Sequence, residues 1–221
     1  MPAMGNARVE DVAEGTVDQL LSVAERLFAE RGVEQVALTH IVAESGQKNR
    51  SAVHYHFGSR AGVLAAVMNR RLAPINARRE ALIDALPQEA APLDIVRATI
   101  APLGLAVVEA PWGADYLSIL AQVTFHPRLL GEQGVDDALL SGIRRTKRRL
   151  AQVVPHIATS FVDQRLRWLI DSVVFAMARW ARDTPKARQT PAAMAALIEQ
   201  LAAYGAAGLL APDPTPGDLK P

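Results

Sequence analysis

The spacing of hydrophobic residues follows the period of a helix along most of the chain. In the first clear segment, apolar residues recur three or four positions apart at Val17, Leu20, Leu21, Ala24, Leu27 and Phe28. Thr16 is expected to cap this helix and Gly32 to end it. No long segment alternates apolar and polar residues with the β-branched enrichment of a strand. The pattern therefore predicts an all-α protein.

The same spacing predicts further helices near residues 38–45, 50–57, 60–86, 93–109, 114–125, 135–154, 161–182 and 191–210. Asn49, Ser59 and Thr190 are expected to act as N-caps. Pro74 is expected to kink or end the fourth helix, and Pro102 to bend the fifth.

Three short helices followed by longer ones indicate a helix-turn-helix unit at the N-terminus, with Gly46 at the second break. We expect a flexible arm at residues 1–15 and a helix-turn-helix DNA-binding domain at 16–60. A larger helical domain should span 61–210. The segment 211–221 is expected to be disordered, because four of its last ten residues are proline.

The charge is unevenly distributed along the 221-residue chain, although the net charge is only +1 at pH 7. Residues 1–38 hold three cationic and seven acidic side chains, whereas residues 39–80 hold seven cationic and two acidic ones. The remaining residues carry equal numbers of both signs. A basic segment in a near-neutral chain favours an anionic partner there. Solvated arginines on a helix surface are the alternative.

The third predicted helix carries polar residues suited to a DNA major groove, which admits one α-helix. Candidates for base readout are Arg50, Ser51 and His54. Side chains at helix starts could meet phosphates together with the backbone N–H groups there. The full predicted DNA-binding set is Thr39, His40, Lys48, Asn49, Arg50, Ser51, His54, Tyr55 and Arg60.

Three sequence blocks stand in order in this region. They are Leu-Phe-Ala-Glu-Arg-Gly at 27–32, Ile-Val-Ala-Glu-Ser-Gly at 41–46 and His-Tyr-His-Phe at 54–57, with Arg60 three positions further on. In order and spacing, these blocks resemble the N-terminal domain of the TetR family over about residues 14–65. The resemblance implies a helical transcriptional regulator, most often a repressor, whose larger helical domain at 61–210 serves ligand binding and dimerisation.

The sequence departs from the family pattern at several positions. The stretch between the glycine of the second block and the phenylalanine of the third is one residue longer than usual, which places an insertion at 47–49. His54 stands where the family commonly has a phosphate-contacting tyrosine, and Arg60 replaces a usual lysine. Ala37 stands where a serine or threonine usually caps the second helix, so either Thr39 caps it or that end frays.

The region 74–182 combines aromatic side chains with a few polar groups, which is typical of a ligand pocket between helices. The predicted ligand-binding residues are Trp112, Tyr116, Gln122, Phe125, His126, Trp168 and Phe175. A plain hydrophobic core would have the same composition. The last two helices are rich in alanine, and the resemblance implies that they form a four-helix dimer interface with a second copy. Intramolecular packing alone is the alternative.

Enzymatic and metal-binding motifs are missing from the sequence. It contains no cysteine, no phosphate-binding glycine loop, no Gly-x-Ser-x-Gly and no His-Glu-x-x-His. His54 and His56 are two positions apart on a predicted helix, so their side chains point in different directions. With His40 nearby they still do not form a set of metal ligands, and no metal or cofactor is expected. The basic run at 144–149 is expected to be a solvated face, with a second nucleic-acid contact as the alternative.

These features predict a cytoplasmic regulator that binds a palindromic double-stranded DNA operator as a homodimer. A small apolar or amphipathic effector of unknown identity would release it. No secretory signal is expected in residues 1–15, because they are mixed polar and acidic and lack an apolar core. No membrane partner is expected either, because charges interrupt the long apolar stretches. One alternative is a helical small-molecule- or partner-binding protein without operator-specific DNA binding. A second alternative is an enzyme that uses the C-terminal cavity.

Overall fold

A computed structural model of the protein describes residues 4–46, 57–132 and 134–212, with side chains from residue 17 onwards in those ranges. The described residues form α-helices and no strands, so the prediction of an all-α fold is confirmed. The helices are α1 (Met4–Arg31), α2 (Leu38–Glu44), α3 (Arg60–Asp84), α4 (Pro92–Glu109), α5 (Gly113–Phe125), α6 (Ser141–Val153), α7 (Thr159–Asp183) and α8 (Pro191–Leu210). Residues 50–56 of the predicted third helix lie outside the described residues.

Three predicted helix boundaries are confirmed by their local chemistry. The Thr190 hydroxyl accepts a hydrogen bond from the Ala193 N–H at 3.2 Å, as an N-cap should. The Ser59 hydroxyl accepts one from the Gly62 N–H at 3.1 Å. Gly32 follows α1 with a φ of +89°, a conformation that glycine adopts without steric penalty.

The cap predicted at Thr16 is wrong, and of the two alternatives left open for α2, Thr39 is not the cap. Helix α1 begins at Met4, so Thr16 lies inside it and does not cap it. The backbone is helical through most of the segment expected as a flexible arm, and no proline between Met4 and Thr16 interrupts it. At α2, the N-cap is Ala37, whose extended backbone leads into the helix without a side-chain hydrogen bond. Thr39 is therefore a residue of the first turn of α2.

In the middle of the chain, Pro74 does not end its helix, and one α-helix starts later than predicted. Helix α3 runs through Pro74 and α4 runs through Pro102 without a break. Pro74 is exposed, so water can bond the carbonyl that its missing N–H leaves free. The helix predicted at 135–154 starts as a 3-10 turn at Asp137–Leu140 and becomes α-helical only at Ser141.

The chain divides into two compact units. The first unit contains residues 1–72 and 118–136, and the second contains 73–117 and 137–221. Phe28, Ile41 and Leu64 are fully buried in the first unit. Because α3 and α5 each contribute residues to both units, the division differs from the expected domain boundary at residue 60.

In the second unit, small residues let α4, α7 and α8 approach closely. A Cβ atom on Gly104 of α4 would lie 3.0 Å from Met177 of α7 and from Met194 of α8. A Cβ atom on Gly205 of α8 would lie 2.2 Å from Leu169 of α7. Some of the small residues of α8 therefore serve packing within one chain.

Helix α8 is the one helix of the described segments with the length and apolar composition of a membrane span, and about a third of that stretch is buried. Its one charged residue, Glu199, accepts two hydrogen bonds from Arg97 of α4, at 2.7 and 2.8 Å. The helix is thus attached to α4 on one side and keeps an extensive apolar surface on the other. Such a surface is also expected of a helix that packs against a second protein.

Candidate nucleic-acid interface

The N-terminal helices form a corner in the first unit. Helix α1 ends at Gly32, a short 3-10 turn at Val33–Gln35 follows, and α2 lies against α1. Ile41 and Val42 of α2 are buried. Burial of this apolar face fixes α2 on α1, while its other face remains exposed.

A network of charged side chains ties α2 to α1. The Glu44 carboxylate accepts a hydrogen bond from Arg26 at 2.7 Å and one from Arg31 at 3.3 Å. His40 Nε2 lies 2.9 Å from the same carboxylate. The hydrogen bond from Arg26 holds the pKa of Glu44 below its ordinary value. His40, a predicted DNA contact, therefore lies in the network that orients α2.

The two predicted phosphate contacts among the described residues lie at helix starts. Thr39 is exposed in the first turn of α2. Arg60 begins α3, and its Nη1 donates a hydrogen bond to the Glu34 carbonyl oxygen at 2.8 Å. Arg60 thus connects the start of α3 to the 3-10 turn that follows α1.

The remaining predicted DNA-binding residues lie outside the described residues: Lys48, Asn49, Arg50, Ser51, His54 and Tyr55. The structure describes the two ends of that segment. Gly46 precedes it with a φ of +70°, and Gly58 follows it with a φ of +66°. Both glycines adopt the left-handed conformation, which lets the backbone turn sharply at each end.

A buried ion pair holds α1 against α3. Arg71 Nε donates to the two carboxylate oxygens of Glu25 at 2.9 and 3.0 Å, and its Nη2 donates to Oε2 at 2.6 Å. The Arg71 side chain is only 13% exposed and the Glu25 side chain only 5%. A bidentate pair of this kind fixes the relative position of two helices as well as neutralising both charges.

Gln122 of α5, predicted to line a ligand pocket, bonds to the backbone where α1 ends. Its Oε1 accepts a hydrogen bond from the Val33 N–H at 2.9 Å, and its Nε2 donates to the Phe28 carbonyl at 3.3 Å. A helix end leaves such backbone groups without intrahelical partners. Gln122 therefore joins the segment 118–136 to the N-terminal helices within the first unit.

The other predicted ligand-binding residues fall into separate groups. Trp112 and Tyr116 make an edge-to-face contact, with ring centroids 6.1 Å apart, and Tyr116 is 1% exposed. Phe125, which is 69% exposed, contacts His126 beside an open cleft of about 660 Å³ in the first unit. On α7, Trp168 and Phe175 are both exposed.

The basic run at 144–149 is largely paired with acidic groups. Arg144 contacts Asp137 at 2.7 Å, and Lys147 contacts Asp163 at 2.5 Å. Arg145 contacts two carboxylates of α3. These pairs support the interpretation of the run as a solvated face that packs α6 against its neighbours.

Two buried polar residues of α3 were not among the predicted site residues. Asn76 is 4% exposed and Arg79 is 6% exposed. A sequence signal for Arg79 does exist, because it stands four positions after Ile75 and four before Ile83, on an apolar stripe. A cation on such a stripe indicates a functional or structural role inside the protein.

The corner of α1 and α2, followed by α3 and by a larger helical unit, is the architecture of a helical DNA-binding regulator. A family model described as "Bacterial regulatory proteins, tetR family" matches residues 20–67. A second model, described as "Tetracyclin repressor-like, C-terminal domain", matches residues 97–208, which is more than half of the chain. The protein belongs to the TetR family of DNA-binding transcriptional regulators. This is a family of regulators and not of enzymes.

Solved structures of similar fold include three regulators. KstR2 of Mycobacterium tuberculosis is 16% identical, with a TM-score of 0.53 over 87% of this chain and 93% of that one. FadR from Bacillus halodurans is 12% identical, with a TM-score of 0.56 over 88% and 96%. PfmR from Thermus thermophilus is 17% identical, with a TM-score of 0.52 over 86% and 96%. At these identities the likeness concerns the fold. No curated protein matches the chain.

Proposed function

We propose that this protein is a cytoplasmic repressor that binds a palindromic operator as a homodimer and is released by a small effector. The observation that carries the proposal is the helical corner of α1 and α2, which the Glu44 network and the Glu25–Arg71 pair hold in place. A recognition helix needs a rigid frame of this kind, because its orientation fixes which base edges it meets.

In this proposal, Arg50, Ser51 and His54 contact base edges. Phosphates are contacted mainly by Thr39, Lys48, Tyr55 and Arg60, and His40 and Asn49 complete the proposed DNA-binding set. The exposed Thr39 at the start of α2 and Arg60 at the start of α3 support these assignments, because the N–H groups of a helix start also attract phosphate.

The proposed dimer interface is the outer face of α7 and α8. Trp168, Phe175 and Tyr204 are exposed on these helices by 58%, 41% and 70%. Trp168 and Tyr204 also line an apolar groove of about 340 Å³. Exposed aromatic residues around a groove are typical of a protein interface. Two copies suit a palindrome, because each half-site then receives one recognition helix.

The mass of the protein in solution tests this interface. We expect the unmodified protein to be dimeric in analytical ultracentrifugation, and the double variant Trp168→Asp/Tyr204→Asp to be monomeric. Phe125→Asp is the matched control, since it places the same charge on an exposed aromatic position of the first unit and should remain dimeric. A dimeric double variant would contradict the proposed interface.

The proposed effector acts by favouring a state whose two recognition helices do not fit successive major grooves. Such coupling is typically worth about 1–3 kcal/mol, and operator DNA must weaken effector binding by the same factor. Helix α5 contributes residues to both units, and Gln122 bonds it to the end of α1. The descriptions of KstR2 as a ketosteroid regulator and of FadR as a regulator of fatty acid degradation support a small organic effector.

Two substitutions test the DNA contacts. Arg50→Ala should reduce discrimination between operator and random DNA. Arg60→Ala should weaken binding to both sequences and reduce the salt dependence by about one phosphate contact. Electrophoretic mobility shifts over a range of salt concentrations measure both effects. Unchanged binding in both variants would contradict the assignment of these side chains to the DNA interface.

A further inference from the structure

Arg79 lies in the middle of α3 with its side chain inside the second unit. It is 6% exposed, and the neighbouring stripe residues Ile75 and Ile83 are 3% and 2% exposed. An arginine is rarely buried to this extent unless its charge is paired.

The contacts of Arg79 do not include a carboxylate. Its Nε donates a hydrogen bond to the Thr99 carbonyl oxygen of α4 at 2.9 Å. Among the described residues, no Asp or Glu oxygen lies within 4 Å of the guanidinium, and Nη1 and Nη2 donate no hydrogen bond. The carboxylates of Glu80 and Asp84, further along α3, are paired with Arg145 instead.

Two other arginines of α3 show what Arg79 lacks. Arg71 is paired with Glu25 through three hydrogen bonds. Arg78, the residue directly before Arg79, contacts Glu109 of α4 at 2.5 Å. Of these three arginines, Arg79 is the most deeply buried and the one without an acidic partner in the described part of the chain.

The start of α6 faces the same side chain. The Gly142 N–H donates to Asn76 Oδ1 at 2.9 Å, and a Cβ atom on Gly142 would lie 3.0 Å from Arg79 Cδ. The first turn of α6 contains no acidic residue. Because a helix N-terminus carries a partial positive charge, α6 adds to the positive potential around Arg79 and does not neutralise it.

Burial lowers the pKa of Arg79 to about 10, while its interaction with Tyr116 raises it. The guanidinium therefore remains positively charged at neutral pH. A buried charge without a counter-charge is unfavourable, and an anion with two oxygen atoms would complete its hydrogen bonding. Tyr116 also contacts the ring of Trp112, so an aromatic wall lies close to the charged group.

We propose that Arg79 anchors the acidic group of the effector, and that the effector is a small organic carboxylate with an apolar body. This inference rests on the proposed function, since it assigns the chemical class of the effector that releases the repressor. The carboxylate would accept hydrogen bonds from Nη1 and Nη2, and the apolar body would lie towards Tyr116 and Trp112.

Calorimetric titration of the full-length protein with paired probes tests the proposal. The probes are butanoate, hexanoate, octanoate, decanoate, benzoate and phenylacetate, each compared with its neutral primary amide. We expect at least one carboxylate to bind about tenfold or more tightly than its amide, as expected for hydrogen bonds between charged groups. If no carboxylate binds, or if none is preferred to its amide, the proposal is overturned without any variant being needed.

Variants then identify the anchoring group. Arg79→Met should abolish the preference for carboxylate, and Arg79→Lys should retain part of it, because lysine keeps the charge but not the planar pair of donors. Arg78→Met, at the adjacent exposed position, should leave the preference unchanged. Persistence of the preference in Arg79→Met, or in Arg79→Gln if the methionine variant does not fold, would overturn the assignment.

Operator binding without any probe is measured separately, so that the two proposals can fail independently. Sequence-specific DNA binding together with no carboxylate preference would overturn the effector class and leave the regulator intact. An Arg79-dependent carboxylate preference without DNA binding would instead overturn the repressor proposal.

Discussion

The buried pair of Glu25 and Arg71 offers a quantitative test of how the first unit is held together. Glu25→Gln keeps the shape of the side chain but removes the carboxylate charge that pairs with the Arg71 guanidinium, which is only 13% exposed. Breaking a buried pair by removing one partner typically costs about 3–5 kcal/mol. We therefore expect α1 and α3 to open far more often in this variant than in the unmodified protein.

Hydrogen exchange measured by mass spectrometry suits this prediction, because all three tryptophans of the chain lie in the second unit and fluorescence would not monitor the first. A loss of about 3–5 kcal/mol accelerates exchange through local opening by roughly two to four orders of magnitude. The acceleration should appear in peptides from residues 17–31 and 60–72.

A second carboxylate on α1 provides the control. Asp18 is 65% exposed and lies 3.4 Å from Arg70 of α3, so Asp18→Asn should change the local stability by less than about 1 kcal/mol. The double variant Glu25→Leu/Arg71→Met should be closer to the unmodified protein than Glu25→Gln, because it removes both charges of the pair. Exchange in Glu25→Gln within a factor of about three of the unmodified protein would refute the reasoning.

Three further substitutions test individual contacts through chemical denaturation. Thr190→Ala should destabilise α8 by about 1 kcal/mol, whereas Thr190→Ser should retain most of the cap; equal loss in both would contradict the role of the hydroxyl. Gln122→Ala leaves the Val33 N–H without its partner, at a cost of about 1–3 kcal/mol, and an unchanged midpoint would show that this bond contributes little. Gly113→Ala would place a Cβ atom 1.9 Å from the Ala106 carbonyl oxygen, so a loss of about 1–3 kcal/mol is expected, and a neutral effect would contradict that close approach.

Helix periods and caps were predictable because they depend on residues close together in the chain. Thr190 and Ser59 bond to N–H groups three positions further on, a distance at which sequence patterns are informative. The start of α1 was not predictable in this way, because Thr16 is equally compatible with a cap and with a helix interior.

Site residues in the C-terminal region depend on tertiary neighbours, which a single sequence does not reveal. Gln122 was predicted from its aromatic surroundings, yet its backbone partners are 89 and 94 positions away. Trp168 and Phe175 share a helix with buried residues, and only the packing of α7 shows that both are exposed. For Arg79, the apolar stripe on α3 predicts burial, but the absence of a nearby carboxylate is a property of the folded second unit.

A nuclease footprint on the DNA that flanks the gene tests the central claim most directly. We predict that the purified full-length protein protects two half-sites whose centres are separated by about 10 base pairs or a multiple of that distance, as expected for a dimer with one recognition helix in each major groove. A folded dimer that protects no site on this DNA, even at low salt, would contradict the account. It would favour instead a helical small-molecule- or partner-binding protein.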